Sequence, residues 1–390
     1  MTQVSQLYEH WMELALQAAA RGRGSVEPNP LVGAVVVDAA GEVVAVGGHE
    51  RFGGPHAEVV ALQQAGERAR GGTLVVTLEP CCHYGKTPPC TEAILAAGIR
   101  TVVAAHLDPF PAVSGRGVQR LQQAGVEVIV GVGQRAAHRL NAAYLKRVTM
   151  GQPWVHVKWA MSLDGRIALP NGAARWISGA VSRQRVHQWR GLMDAIVVGA
   201  GTVRADDPRL TVRPPGRRTP WRVVVSARGE LPDDCYLLRT AREVPTLLYT
   251  STHAIPRLQR WQQAGVQLVA LPSHSSTLLD LHALLGDLAQ RGCTHVLVEG
   301  GAGLLSSFWR AQAIDEWHVF IAPVLLADGI PPLQANAPPH MAQALRLVDV
   351  SVECCQGDAY LHGYTPRGPY APDVATVPDD TQPSTLPDDT

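Results

Sequence analysis

The chain has 390 residues, with 34 Lys plus Arg set against 34 Asp plus Glu. That length exceeds what one ordinary core fills, so two domains are expected. The balanced charge provides no field to gather nucleic acid or an anionic membrane, so any phosphate must be held by local arginines.

Apolar residues recur at Leu7, Trp11, Leu14, Ala15 and Ala18, the period of an amphipathic helix over residues 7–21 that Gly22 and Gly24 close. No basic stretch followed by an apolar run and a cleavage site opens the chain, and no segment has the ~18 consecutive apolar residues that span a bilayer. The cysteines at 81, 82, 90, 235, 293, 354 and 355 are odd in number with two adjacent pairs, a poor disulfide framework. A cytoplasmic protein is expected. Pro28-Asn29-Pro30 forms a rigid bend, and residues 31–37 and 42–48 read as two strands around a turn at 38–41.

A helix opens at His56 and runs to about residue 68; a third strand over 74–78 leads to Glu79-Pro80-Cys81-Cys82, and a helix over 90–97 begins at Cys90. One imidazole and two thiolates suit zinc and leave a tetrahedral position for water. Zinc lowers the pKa of that water from ~16 towards ~7, which makes a nucleophile available at neutral pH. Glu58, two residues after His56, is placed to carry protons without binding the metal. Metal ligands His56, Cys81 and Cys90 with Glu58 as catalytic acid and base match the chemistry of zinc nucleobase deaminases. Cys82 is a poor ligand because adjacent side chains seldom converge on one ion. The alternative is a closed structural site that uses Cys82 or His83 as well. Strands at 101–106 and 126–130 flank a helix at 117–124, and this alternation implies a three-layer α/β domain.

Gly151-Gln152-Pro153 breaks the pattern and marks a boundary, with one domain over 1–150 and another over 151–365. The second opens with a strand at 155–160 carrying His156 and Lys158, then a turn at Ser162-Leu163-Asp164-Gly165. Arg190, Arg204, Arg209 and Arg213 supply guanidinium forks suited to a ribose phosphate. Val296-Leu297-Val298-Glu299-Gly300-Gly301-Ala302-Gly303 is a strand-to-helix turn whose backbone N–H groups can approach phosphate; a merely packed turn would look the same. Residues 366–390, rich in Pro, Asp and Thr, are expected to be a disordered tail.

The strings PNPLVGAVVV at 28–37, GGPHAEVVAL at 53–62 and TLEPCCHYGKTPPC at 77–90 resemble the deaminase half of the bifunctional riboflavin-biosynthesis deaminase/reductase family. Trp176-Ile177-Ser178, DAIVVG at 194–199, GTVRADDPRLTVR at 201–213 and the VEGG string resemble its reductase half. The resemblance implies a cytidine-deaminase-like domain followed by a dihydrofolate-reductase-like domain, with Zn2+ and NADPH as cofactors. The substrates it implies are phosphorylated pyrimidines: a diaminopyrimidinone ribosyl phosphate is deaminated, and the ribosyl chain of the product is then reduced to ribityl. Asn29 would bind the deaminase substrate; Lys158, Ala174, Arg190, Leu210, Arg213 and Glu299 the reductase substrate; Ala160, Trp176, Thr202, Asp206, Ala227, Gly301, Ala302 and Gly303 the cofactor. Lys158 and Asp206 are candidates for holding or polarising the sugar, and Arg183, Arg185 and Arg204 for meeting a 2′-phosphate.

Three departures from the family pattern concern specificity. Phe110 replaces the usual Asn between two prolines, Ser226-Ala227 the usual Asp-Ser, and Ala174 a serine. They leave open a paralogue with one working half or a different pyrimidine substrate. A non-catalytic zinc module and an RNA-editing deaminase are rival readings; the charge balance and the reductase-like half count against the latter. A homodimer or homotetramer is expected.

Overall fold

The computed structural model describes residues 3–272 and 278–371. Helix α1 (Gln3–Ala20) leads to strands β1 (Gly33–Val37) and β2 (Val43–Gly48), helix α2 (Ala57–Ala65), β3 (Thr73–Val76), α3 (Cys90–Ala96), β4 (Thr101–Ala104), α4 (Arg116–Gln123) and β5 (Glu127–Val130). The sheet order is β2-β1-β3-β4-β5, antiparallel through β1 and parallel from β3 to β5. Strand alternation sends Val35, Val75 and Val103 to one face, where Trp11, Met12 and Ala15 of α1 cover them. Val36, Leu74 and Val102 meet Ala61, Ile94 and Leu121 of α2, α3 and α4 on the other. Two glycines allow this close packing. A Cβ on Gly33 would stand 1.9 Å from the Ala15 carbonyl oxygen, and one on Gly47 would stand 2.4 Å from that of Ala57.

Helices α5 (Gln134–Leu140) and α6 (Ala142–Met150) connect this layer to β6 (Trp154–Ser162), with Gly151 at a φ of +65° between them. There follow α7 (Ala180–Arg190), β7 (Ala195–Gly199), α8 (Ala200–Asp206), β8 (Trp221–Val225), α9 (Tyr236–Arg239), β9 (Thr246–Ser251), α10 (Gln259–Gln263) and β10 (Gln267–Leu271). The chain continues through α11 (Leu281–Gln290), β11 (His295–Val298), α12 (Ala302–Arg310), β12 (Glu316–Ala322), β13 (Val348–Cys355) and β14 (Asp358–Tyr364). These strands form one sheet in the order β10-β9-β8-β7-β11-β6-β12-β14-β13, parallel except where β14 pairs with β12 and β13. Leu284, Leu285, Leu288, Leu305 and Phe308 of α11 and α12 cover one face. Helices α8, α9 and α10 cover part of the opposite face, and α7 packs Val186 and Trp189 against Phe320 and Tyr360. Because β11 returns to lie between β6 and β7, the carboxyl ends of these three strands form a crevice suited to ligands.

The expected tail begins too early. Gly368–Tyr370 forms a turn of 3-10 helix, and Tyr370 is buried with its ring stacked 3.7 Å from that of Tyr364, so aromatic burial anchors residues up to 371. The remainder, 372–390, lies outside the described residues.

Candidate active sites

His56 is the N-cap of α2, with extended backbone, and Cys90 is the first residue of α3, after Pro89. Cys81 lies on the loop beyond β3 and receives the Cys90 backbone N–H at 3.3 Å. His56 Nδ1 is 3.2 Å from Cys90 Sγ and 3.5 Å from Cys81 Sγ. A tetrahedral zinc with bonds of ~2.0 Å to nitrogen and ~2.3 Å to sulfur separates such donors by about 3.5 Å, so the three residues fit the ion. The Cys90 hydrogen bond holds the Cys81 thiol down to about 4, while Cys90 itself is pushed well up. A cation held between the two sulfurs would take the place of a thiol proton. Cys82 turns away and directs its thiol at the Ala112 carbonyl 3.8 Å off, which leaves it out of the converging set.

Glu58, in the first turn of α2, is 3% exposed, and burial raises its carboxyl pKa. Thr87 Oγ1 lies 3.3 Å from His56 Nε2 and fixes the ring from behind. Asn29 reaches the same centre through a relay: its amide meets His49 Nε2 at 3.2 Å, and the His49 ring lies 5.4 Å from that of His56. Glu79 is a further functional position. Its carboxylate accepts backbone N–H groups from Asp108, Gly115, Gly117 and Val118 at 2.9–3.1 Å, which pins the loop after β4 beside Cys81. The Glu79-Pro80 turn is visible in the sequence, but its partners lie 29–39 residues away and have no side-chain signature.

At the second crevice, Arg190 ends α7 and grips Glu299 with two bonds of 2.6 and 2.7 Å. Burial opposes ionisation of Glu299, but the guanidinium outweighs it and holds the carboxyl below its usual range. Lys158 of β6 lies beside this pair, and burial depresses its pKa. Arg190 Nη1 also donates to the Thr211 carbonyl at 3.3 Å, and Arg213 donates to Thr211 Oγ1 at 2.9 Å. Leu210, at a φ of +50°, buries its side chain against β7 and β8. Thr202 Oγ1 accepts the Gly301 N–H at 3.3 Å and so ties α8 to the start of α12. A cleft of about 390 Å³ runs past Gly199, Ala200, Gly201, Ala227, Gly303 and Leu304.

The chain matches the family model for the cytidine and deoxycytidylate deaminase zinc-binding region over residues 5–106 and that for the RibD C-terminal domain over 153–360. It is 42% identical to the riboflavin biosynthesis protein RibD of Aquifex aeolicus over 84% of this chain and 90% of that one. With RibD of Escherichia coli the identity is 39% over 82% and 89%. The chain belongs to the RibD family. Solved RibD structures agree: Acinetobacter baumannii RibD superposes with a TM-score of 0.80 at 37% identity, covering 93% of this chain and 99% of that one. A Thermotoga maritima diaminohydroxyphosphoribosylaminopyrimidine deaminase/5-amino-6-(5-phosphoribosylamino)uracil reductase gives 0.78 at 35% identity, covering 93% and 100%. This RibD-family enzyme is therefore a bifunctional deaminase and reductase of riboflavin biosynthesis, with zinc and NADPH as cofactors. Its halves are a cytidine-deaminase-like domain and a RibD reductase domain.

Other expected RibD positions are dispersed. Asp206 ion-pairs with Arg175 at 3.6 Å near the surface, and Trp176 is 70% exposed under Arg183, 4.6 Å from its ring centroid. Ala174 shares their open segment. Among the described residues no hydrogen bond or ring contact joins these three to Gly301 or Ala227. Ala160 packs with Phe320 and Tyr360. Arg185 is engaged with Glu353 at 2.8 Å and Arg204 with the Glu230 carbonyl at 2.6 Å.

Proposed function

We propose that residues 1–150 deaminate the diaminopyrimidinone ribosyl phosphate and that residues from 151 to about 371 reduce the ribosyl chain of the product to ribityl. The convergence of His56, Cys81 and Cys90 beside buried Glu58 carries the first assignment. Zinc held by those three residues supplies an activated water, and NADPH in the second crevice supplies hydride. The Glu58 carboxyl takes the proton from the attacking water and returns it to the departing amine, so that water is consumed and ammonia leaves. Asn29, steadied by His49, orients the pyrimidine at the pocket mouth.

In the second half Arg190 and Glu299 form a rigid wall, and Lys158 directs its ammonium at the sugar oxygens. Arg213 takes the phosphate. The Gly301-Ala302-Gly303 turn, braced by Thr202, receives the dinucleotide phosphates, with Ala227 lining the adjoining cleft. Ala160, Ala174, Trp176 and Asp206 are assigned to the mouth of the same crevice by their motif positions. The seven cysteines are all free, in keeping with a cytoplasmic enzyme, and among the described residues no helix is long and apolar enough to cross a membrane. A homodimer or homotetramer is the assembly proposed; β13 is an open sheet edge with Val350 and Val352 exposed.

The test is to incubate zinc-loaded enzyme with the diaminopyrimidinone ribosyl phosphate and to follow ammonia, then NADPH oxidation. Ammonia followed by stoichiometric oxidation supports both assignments. Ammonia alone removes the reductase substrate assignment, and neither signal from folded, zinc-replete enzyme removes both.

A further inference from the structure

A second group of metal-type ligands lies in the large sheet, far along the chain from the deaminase cysteines. His156 on β6 and Glu316 on β12 are register partners, and His318 lies two residues beyond Glu316 on the same face. His156 and His318 are 5% and 7% exposed, and the Glu316 side chain is 13% exposed. His156 Nδ1 is 3.3 Å from His318 Nε2 and 3.1 Å from Glu316 Oε2; His318 Nε2 is 3.4 Å from Glu316 Oε1. A tetrahedral ion with bonds of ~2.0–2.1 Å spaces its ligands by about 3.3 Å, the separation of the two imidazole nitrogens, and the Glu316 carboxylate faces each of them through a different oxygen.

Each ligand also has an outer partner that fixes it. His156 Nε2 meets His295 Nδ1 at 3.1 Å, and His318 Nδ1 meets the Tyr360 hydroxyl at 2.7 Å. Glu316 accepts His362 Nε2 at 2.8 Å and Trp154 Nε1 at 2.9 Å. With the metal on His156 Nδ1 and His318 Nε2, the opposite nitrogens carry the protons and donate outward to His295 and Tyr360, and no donor faces a donor. The charge requirement is met too. Glu316 has only histidines as ion-pair partners among the described residues, so a divalent cation with neutral imidazoles balances its carboxylate.

We propose that His156, Glu316 and His318 form a second divalent-metal site, with two imidazoles and a carboxylate selecting zinc or another borderline transition ion over calcium or magnesium. The site joins β6 to β12 on the sheet face that also carries Lys158. His318 is the register partner of Lys158, which follows His156 by two residues on the same face, so an ion there braces the strand that presents Lys158.

The test is metal counting on the full chain after exposure to zinc and desalting. Wild-type enzyme is expected to retain about two zinc ions per chain, and a Cys81→Ser/Cys90→Ser double variant and a His318→Gln variant about one each. Cobalt separates the sites independently of variant folding. Loaded into wild-type enzyme it gives thiolate charge-transfer bands only from the cysteine site, so a second equivalent adding d–d absorption without further charge transfer supports the proposal. One equivalent in wild type that is lost entirely from the cysteine variant, together with no second cobalt signal, overturns it and leaves the cluster as a hydrogen-bonded network.

Discussion

Glu58 is buried and Lys158 half-buried, and burial moves them in opposite directions: the carboxyl pKa up, the ammonium pKa down. For Glu58 this favours the protonated form, the form that can return a proton to a leaving amine. Glu58→Gln preserves volume and removes titration, so deamination should fall by about 10²–10⁴-fold while zinc is retained at His56, Cys81 and Cys90. Ammonia release measured beside metal content checks this; equal loss of both would mean the residue holds the site together. For Lys158 the folded state disfavours the charged form, which penalises stability at every pH below the unfolded value of 10.5 and ceases to do so above it. Lys158→Met should abolish ribosyl reduction yet raise stability at pH 7 by on the order of 1 kcal/mol. Thermal unfolding at pH 7 and again near pH 11 tests the sign, since the gain must shrink as wild-type Lys158 loses its proton.

Helix α2 delivers both His56 and Glu58, and its position depends on the absent side chain of Gly47. Gly47→Ala would place a methyl 2.4 Å from the Ala57 carbonyl oxygen, a contact relieved only by moving the helix. A loss of about 1–3 kcal/mol is expected, with deamination reduced and ribosyl reduction kept; steady-state assays of the two half-reactions separate these outcomes. This dependence shows which features are readable from the chain alone. The unbroken β-branched run of β1, the capping position of His56 and the short interval from Cys81 to Cys90 are local, so the sequence exposes them. The Arg190–Glu299 grip spans 109 residues and the Glu79 clamp uses backbone donors; neither leaves a local pattern. His156, His318 and His362 lie on strands far apart in sequence, and only the order β6-β12-β14 brings them together.

Across the whole molecule the halves meet along a polar seam. Lys146 of α6 pairs with Asp315 at 2.5 Å, with side chains only 10% and 5% exposed, and Asp315 also accepts the Val155 N–H. Lys146→Ala leaves that carboxylate buried without its cation, at a cost of about 3–5 kcal/mol. Calorimetry should then resolve two transitions where the wild type shows one. Beside side-chain contacts of Arg139 with Asp349, Arg218 with Glu27 and Arg217 with Ser25, several other seam bonds have a common form. Arg217 donates to the carbonyls of Arg21 and Arg23, Arg218 to those of Gly24 and Glu27, Arg147 to that of Ala289, and Arg139 to that of Pro369. A carbonyl acceptor is the same whatever side chain it carries. Mutational drift at Arg21, Arg23 and Ala289 is therefore invisible to the opposite half, and much of the joining of the two halves falls on a few arginines that tolerate change in the residues they hold.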